Sequence, residues 1–502
     1  MTDKDEIPSS ESSDSLIESA QAERKQVFTI GLSLGIGVAL IYLAFLKPGI
    51  WGIDGNDMFW VSHSLVTDGD FSTGKAVGVL GSGGEYYSPR YLLLPVLAMP
   101  FVAFGIGVGN LLGLPVRYTA TLCALVLPVL LTAVTTSLVA LLALRLGSSK
   151  KSAYLAAISY AFGTTALVYS REFFAEPLLA LLTTASIYFA LGNKAREHAS
   201  SSLLAGFAIP TKPAGVILAP LLSLYFFCKK YPWRTIVGPW LGFAMGVGIH
   251  LWYTYVRFEN LVGGGPKDRL QINGMPQRLL GLLISPGAGG GLFWYCPPTI
   301  LAIIGFQRAY KKKPLEALLI LGIVLGYLVL HSFWAFRGWN WGPRFLVPVL
   351  PALLAIVAVL EKKWWRALII LTAIGFFWNA PTLVAYYQRY YAEAIDNYRF
   401  YQVLAPAPWG PWNEAPLFNI WGATFRQLSD AFSSDVAQVL KGVGEPPVAG
   451  KLASSDLLRI VAVWWWVLPA AGIPIWVGFA IATIMVGLGI WILRRGWMSI
   501  SD

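Results

Sequence analysis

Residues 27–57 read VFTIGLSLGIGVALIYLAFLKPGIWGIDGND. The twenty residues from Val27 to Leu46 carry no charge. At a helical rise of about 1.5 Å per residue they reach about 30 Å, the thickness of a bilayer hydrocarbon core. Arg24 and Lys25 precede this run, and Asp54 and Asp57 follow it. The positive-inside rule puts the basic pair in the cytoplasm, so the two carboxylates are expected on the outer face. Because the run begins behind a polar, Ser-rich and mainly acidic tail, it reads as a signal anchor rather than a cleavable signal peptide.

Similar apolar runs recur along nearly all 502 residues, of which 56% are hydrophobic, 14% aromatic and only 13% charged. A soluble chain carries about a quarter charged residues, so an ordinary cytosolic enzyme is excluded. The net charge is +11, from 38 basic and 27 acidic residues, and it collects in short clusters between the runs. Examples are Lys150-Lys151, Lys229-Lys230, Lys311-Lys312-Lys313, Lys362-Lys363 and Arg494-Arg495. This is the pattern of topology signals, and with no basic face or nucleic-acid motif no nucleic acid is expected as a partner. Cys123, Cys228 and Cys296 lack metal-ligand spacing, and His63, His198, His250 and His331 lie far apart. Neither a metal nor another cofactor is expected.

If every basic cluster faces the cytoplasm, the chain crosses an even number of times between neighbouring clusters. Helices near 27–47 and 116–146 then flank an outer loop, 48–115, and a hairpin of 153–170 with 177–192 has the outer tip SREFFAEP. A compact pair within 202–227 is broken at Ile209-Pro210-Thr211-Lys212-Pro213. Further pairs are 235–256 with 291–307, 315–333 with 345–360, and 366–383 with 472–493. Residues 91–112 suit either another span or an interfacial helix. The expectation is an all-α polytopic membrane protein, a bundle of about 11–13 transmembrane helices with a large first outer loop. Residues 1–26 would be a disordered acidic cytoplasmic tail, 27–383 a transmembrane catalytic module, 384–458 an outer-face cap, and 459–502 a C-terminal membrane segment with a short cytoplasmic tail. Both termini would be cytoplasmic.

This topology leaves few ionisable groups outside, among them Asp54, Asp57, Glu85, Arg90, Glu172, Glu176 and Lys212. Asp54-Gly55 and Asn56-Asp57 suit a turn after a helix. A carboxylate at the membrane surface near Arg90 and several Tyr and Trp residues also suits a general base beside an anion site, as transfer from a lipid-linked phosphate requires. No glycine loop for a nucleotide is present, which disfavours a nucleotide-sugar donor.

These residues lie in an ordered series of motifs. Asp54 precedes Gly69-Asp70; Gly84-Glu85-Tyr86-Tyr87-Ser88-Pro89-Arg90-Tyr91 leads into a Pro-containing apolar run. Glu176-Pro177, Lys212-Pro213, Tyr253 with Arg257-Phe258, Ser285-Pro286-Gly287 and Gly342-Pro343-Arg344-Phe345 follow. The series, over about residues 28–351, resembles the GT-C glycosyltransferases, in the branch of protein O-mannosyltransferases, aminoarabinose transferases and related bacterial polyprenyl-phosphate-sugar enzymes. Two positions depart from that family: Gly55 stands where many members have Glu, and Pro89-Arg90 stands in place of the Lys of a Tyr-Ser-Lys turn, which keeps a cation close by but shifts it one residue.

The resemblance implies a GT-C-like bundle in a bacterial inner (plasma) membrane, with its active site on the outer face. The donor would be a sugar on polyprenyl phosphate and the acceptor a glycan, lipid or protein, with membrane lipids as surroundings. Arg344, Lys212 and Arg90 would meet the phosphate, and Asp54, or else Asp57, would take the proton of the acceptor hydroxyl in an inverting displacement. Glu176 would hold the site by hydrogen bonds. Tyr87, Trp339 and Trp341 are further candidates for substrate contact. Bland alternatives stand beside these: Arg344 as a snorkelling helix-start residue, Glu176 as a helix N-terminal charge, and the tryptophans as interfacial anchors. The alternative function is a lipid-linked-sugar flippase or other transporter, which would place polar residues deep along a path through both leaflets.

Overall fold

The computed structural model describes residues 10–74, 78–262, 271–334, 338–396, 412–437, 439 and 455–500. Residues 1–9 of the tail, 75–77, 263–270 and 335–337 of the outer loops, 397–411, 438 and 440–454 of the expected cap, and 501–502 lie outside them.

Among the described residues the fold is helical apart from one antiparallel hairpin, β1 (Val79–Leu80) with β2 (Tyr86–Tyr87), inside the first loop. The first span belongs to α1 (Ser10–Ala44). The tail expected to be disordered through residue 26 is therefore helical from Ser10. Once the apolar span has nucleated, each further turn adds hydrogen bonds without a new nucleation cost. After α1 come α2 (Ile53–Thr67) and α3 (Leu93–Leu112), the latter long and apolar enough to span.

The helix expected over 116–146 is divided into α4 (Val116–Ala124) and α5 (Val126–Arg145). Pro128 explains the break: it has no N–H, and its ring displaces the carbonyl four residues back, that of Ala124. The hairpin is α6 (Lys150–Gly163), a single turn α7 (Ala166–Tyr169) and α8 (Ala175–Ala190). The compact pair is α9 (Ala195–Thr211) and α10 (Leu218–Cys228), parted at Lys212 as the Pro-Thr-Lys-Pro pattern predicts. Then follow α11 (Trp233–Phe258), α12 (Met275–Ile284), α13 (Leu292–Tyr295), α14 (Ala302–Lys312), α15 (Pro314–Ser332), α16 (Leu350–Val357) and α17 (Trp365–Asn379). Two helices of the expected cap, α18 (Gln388–Asp396) and α19 (Pro416–Ala431), precede the final span, α20 (Ile475–Met498).

Seven described helical segments are long and apolar enough to cross a membrane, and three shorter apolar ones accompany them. The chain is a multi-pass membrane protein. The shorter segments arise where proline or glycine interrupts a span, as at Pro213 and at Pro343. Apolar burial alone gives helices little reason to associate in lipid, so close approach falls to small residues. Gly206 of α9 meets Gly242 and Gly246 of α11 backbone to backbone, leaving no room for a Cβ on any of the three.

Gly242→Leu is accordingly expected to force α9 from α11 and to destabilise the fold by about 1–3 kcal/mol, the usual cost of overpacking. Gly248→Leu, on the same helix with nothing within 4 Å of its would-be Cβ, should leave the unfolding temperature in detergent unchanged. Equal midpoints for the two variants would contradict this packing.

Candidate functional site

Four local devices bring the charged side chains together. Asp54 lies in the first turn of α2, and Glu176 in the first turn of α8, where Pro177 fits and a carboxylate is favoured by the helix dipole. Lys212 sits in the break before Pro213, whose ring pushes the preceding residue into extended backbone (φ −167°, ψ 134°). Arg344 opens the tight turn Arg344–Val349 behind Gly342 (φ 58°). Gly342 lies so close to the Tyr295 ring that a Cβ would collide with it.

The resulting cluster is continuous. Arg344 Nη1 is 3.0 Å from Asp54 Oδ2, and Arg344 Nε donates to Glu176 Oε1 at 2.8 Å. Lys212 Nζ donates to the same Glu176 oxygen at 2.6 Å. On the other side, Arg90 Nη2 is 2.6 Å from Asp54 Oδ1 and Arg90 Nε is 3.3 Å from Asp57 Oδ2. The Arg344 guanidinium stacks 3.7 Å from the centroid of Phe174, and Lys212 Nζ is 4.2 Å from that of Phe345. Glu176 is fully buried, and its Oε2 has no hydrogen-bond partner among the described residues.

Accessibility divides the two aspartates. The Asp54 side chain is 29% exposed, that of Asp57 only 5%. Burial pushes the Asp54 carboxyl upward, but Arg344 and Arg90 outweigh it and hold the group below the usual range. Burial also raises Asp57, and with one shared cation opposing it the group is pushed up to about 6. Asp54 is thus the reachable, firmly ionised carboxylate, and Asp57 the enclosed one that takes up a proton first.

The other candidates are placed differently. Trp341 is wholly buried, with its indole N–H donating to Asn379 Oδ1 at 2.7 Å, so it offers no face to a sugar. Trp339, partly buried, stacks with Trp51 (5.2 Å) and with Tyr391 (5.6 Å). Tyr87 lies in β2 against Phe258, outside the cluster. These contacts lie outside the Asp54–Arg344 cluster, and of the three residues only Trp341 is fully buried.

Sequence reasoning passed over three buried cations. Arg257, in the Tyr253-to-Phe258 motif, donates through Nη1 to the carbonyls of Ser88 and Arg90 (3.3 Å to the latter) and lies 3.6 Å over Tyr253. It clamps the loop that presents Arg90. Lys47 pairs with Glu172 at full burial, over the rings of Tyr386 and Tyr387. Arg171, also fully buried, donates to the carbonyls of Phe45 (3.0 Å), Leu383 (3.2 Å) and Thr382 (2.7 Å). Lys47-Pro48 at the end of a span and Arg171-Glu172 in an otherwise apolar hairpin were the visible signals.

Because folded Asp57 binds its proton at about pH 6 and an unfolded aspartate at about 3.9, the proton favours the folded state. Its stabilising effect is complete below about pH 4 and gone above about pH 6. Asp57→Asn should abolish this fall in unfolding temperature between pH 4 and 6, measured in detergent against wild type. An unchanged pH dependence in the variant would contradict the enclosed position of Asp57.

No family model matches the chain, and no curated protein does. Among solved structures, the aminoarabinose transferase ArnT from Cupriavidus metallidurans in its apo state aligns with a TM-score of 0.50 and 16% identity, over 81% of this chain and 80% of that one. The same protein bound to undecaprenyl phosphate gives 0.47 and 17%, over 93% and 77%. The Archaeoglobus fulgidus oligosaccharyltransferase gives 0.45 and 11%, over 78% and 64%. The alignment with apo ArnT shows that the present chain shares its helical membrane fold, the all-α polytopic class expected from the sequence.

Proposed function

We propose that this chain is an integral-membrane glycosyltransferase that moves a sugar from a polyprenyl-phosphate donor to an acceptor hydroxyl. The observation that carries this reading is the placement of Asp54, a partly exposed carboxylate held between the two guanidinium groups of Arg90 and Arg344. A base and its neighbouring cations are what a displacement at a sugar phosphate needs. The acceptor oxygen bonds to the anomeric carbon as the bond from that carbon to the phosphate oxygen breaks. The acceptor proton passes to Asp54, and the released phosphate charge is met by Arg344, Arg90 and Lys212. Direct displacement inverts the anomeric centre and needs no covalent intermediate.

Both guanidinium groups are engaged by Asp54, which makes it a weak base. A phosphate prefers the same bidentate donors. When the donor phosphate draws Arg344 and Arg90 toward itself, Asp54 loses the charges that hold its proton affinity down. The donor therefore activates the base that will use it. The basic clusters at the opposite ends of the helices support an extracytoplasmic site and cytoplasmic termini.

Asp54→Asn should lower transfer by about two to four orders of magnitude, the range for loss of a general base, while binding of undecaprenyl phosphate persists; near-normal turnover would refute the assignment. In wild type, the acid limb of kcat should lie at higher pH than that of kcat/KM, since the first reports the donor-bound and the second the free enzyme. Coincident limbs centred near pH 6 would instead point to Asp57 as the base.

A further inference from the structure

Away from the charged site, α1, α6, α17 and α20 enclose a cavity of about 560 Å³, within the size range of binding pockets. Its floor is formed by α1 and α6, and its walls by α17 and α20. Each wall is docked on its own floor helix through glycine: Gly375 of α17 lies against Gly163 of α6, and Gly489 of α20 against Gly37 and Ile41 of α1. These close approaches fix the two walls to neighbouring helices and leave a trough between them.

The interior of the trough is apolar. Ile158, Phe162, Phe376 and Ile490 line it, and the hydroxyl of Tyr154 is turned aside to the Leu493 carbonyl at 2.9 Å. One end is closed at Phe45 and Leu383, whose carbonyls both accept from Arg171 Nη1. At the other end Trp497 meets Trp365 of α17 at 5.9 Å and Tyr154 at 6.0 Å, edge to face. Beside them stands Arg494, the charged residue of the lining, exposed and without an ion pair or hydrogen bond among the described residues. The same helix ends carry Lys150, Lys151, Lys362, Arg366 and Arg495. From Val486 to Trp497 the lining of α20 extends about 16 Å at 1.5 Å per residue, enough for much of an acyl chain.

We propose that this trough binds one anionic phospholipid, with an acyl chain between α17 and α20 and its phosphate on Arg494. Charge selects the occupant. A cation without a partner, at the rim of an apolar slot and amid further basic residues, suits a phosphate-bearing headgroup of net negative charge. The closed end at Phe45 and Leu383 dictates that the headgroup sits at the Arg494 end, a full helix length from Asp54. The lipid would fill the space beside α20, which packs mainly on α1 and on the turn Trp464–Ala471 and meets α6 and α17 at its Trp497 end, and so secure the C-terminal span.

The test is native mass spectrometry and thermal unfolding of the full chain, delipidated in detergent and supplied with phosphatidylglycerol or phosphatidylcholine. One phosphatidylglycerol should bind and raise the unfolding temperature, with phosphatidylcholine binding about fivefold or more weakly. Arg494→Gln should remove that preference, Arg494→Lys should keep it, and Ile490→Trp, which fills the trough, should abolish binding. Equal binding of the two lipids by wild type, or undiminished phosphatidylglycerol binding by Ile490→Trp, would overturn the proposal. Displacement of phosphatidylglycerol by undecaprenyl phosphate, one for one, would assign the trough to the donor and overturn it as well.

Discussion

Arg344 ties together two carboxylates from separate segments of the chain. Asp54 comes from the segment after α1 and Glu176 from the start of α8, and each lies within 3.0 Å of the same guanidinium. Each ion in this chain of contacts has given up much of its hydration, and its neighbours compensate only if all are present. Removing one member leaves a buried charge unpaired, which costs about 3–5 kcal/mol. Replacing such a network by apolar residues often costs nothing. Its occurrence beside a reachable carboxylate is better explained by chemistry than by stability.

Behind this partly exposed cluster lies a dry one. Lys47, Glu172 and Arg171 are essentially without exposure, and the guanidinium of Arg171 is solvated by backbone carbonyls in place of water. Those carbonyls belong to the ends of α1 and of the turn after α17, so Arg171 fixes two helix ends to the hairpin that also carries Glu176. The same residue closes the lipid trough. A single hairpin thereby transmits rigidity in both directions: toward the charged site through Glu176, and toward the C-terminal span through the carbonyls it binds.

The sequence was most legible where charge is scarce and the backbone is punctuated. Lys212 and Arg344 stand out because proline breaks a span at each, and a charge at a broken span must find a partner. Asp54 and Arg90 stood out as ionisable residues in a chain that has few. The tryptophans were the least legible, because aromatic residues beside Arg344 suit a sugar and a packed core equally well; the structure buries Trp341 and leaves Trp339 partly exposed. Arg257 and Lys47 were hidden by position: each lies at the expected outer end of a span, where a lone cation reads as one snorkelling to the headgroups. Extension of α1 back to Ser10 and the division of α4 from α5 turn on helix propagation and on one proline, effects too local for hydropathy to register.

The proposed reaction also has to balance charge. Asp54, Asp57 and Glu176 face Arg90, Lys212 and Arg344, so the fully ionised cluster is neutral. A sugar joined to polyprenyl phosphate is a phosphodiester and brings one negative charge into this enclosed space. The excess is removed most cheaply by protonating the carboxylate already closest to neutrality, and that is Asp57, at about 6. Protonation leaves Arg90 with less hold on Asp57 and frees it for the phosphate. When the sugar leaves, Asp54 gains the acceptor proton and the lipid keeps a phosphate with a further ionisable oxygen, so the total charge at the cations is conserved through the step. In the proposed reaction the two aspartates would divide the work: Asp57 would make room for the charge of the donor, and Asp54 would handle the proton of the acceptor.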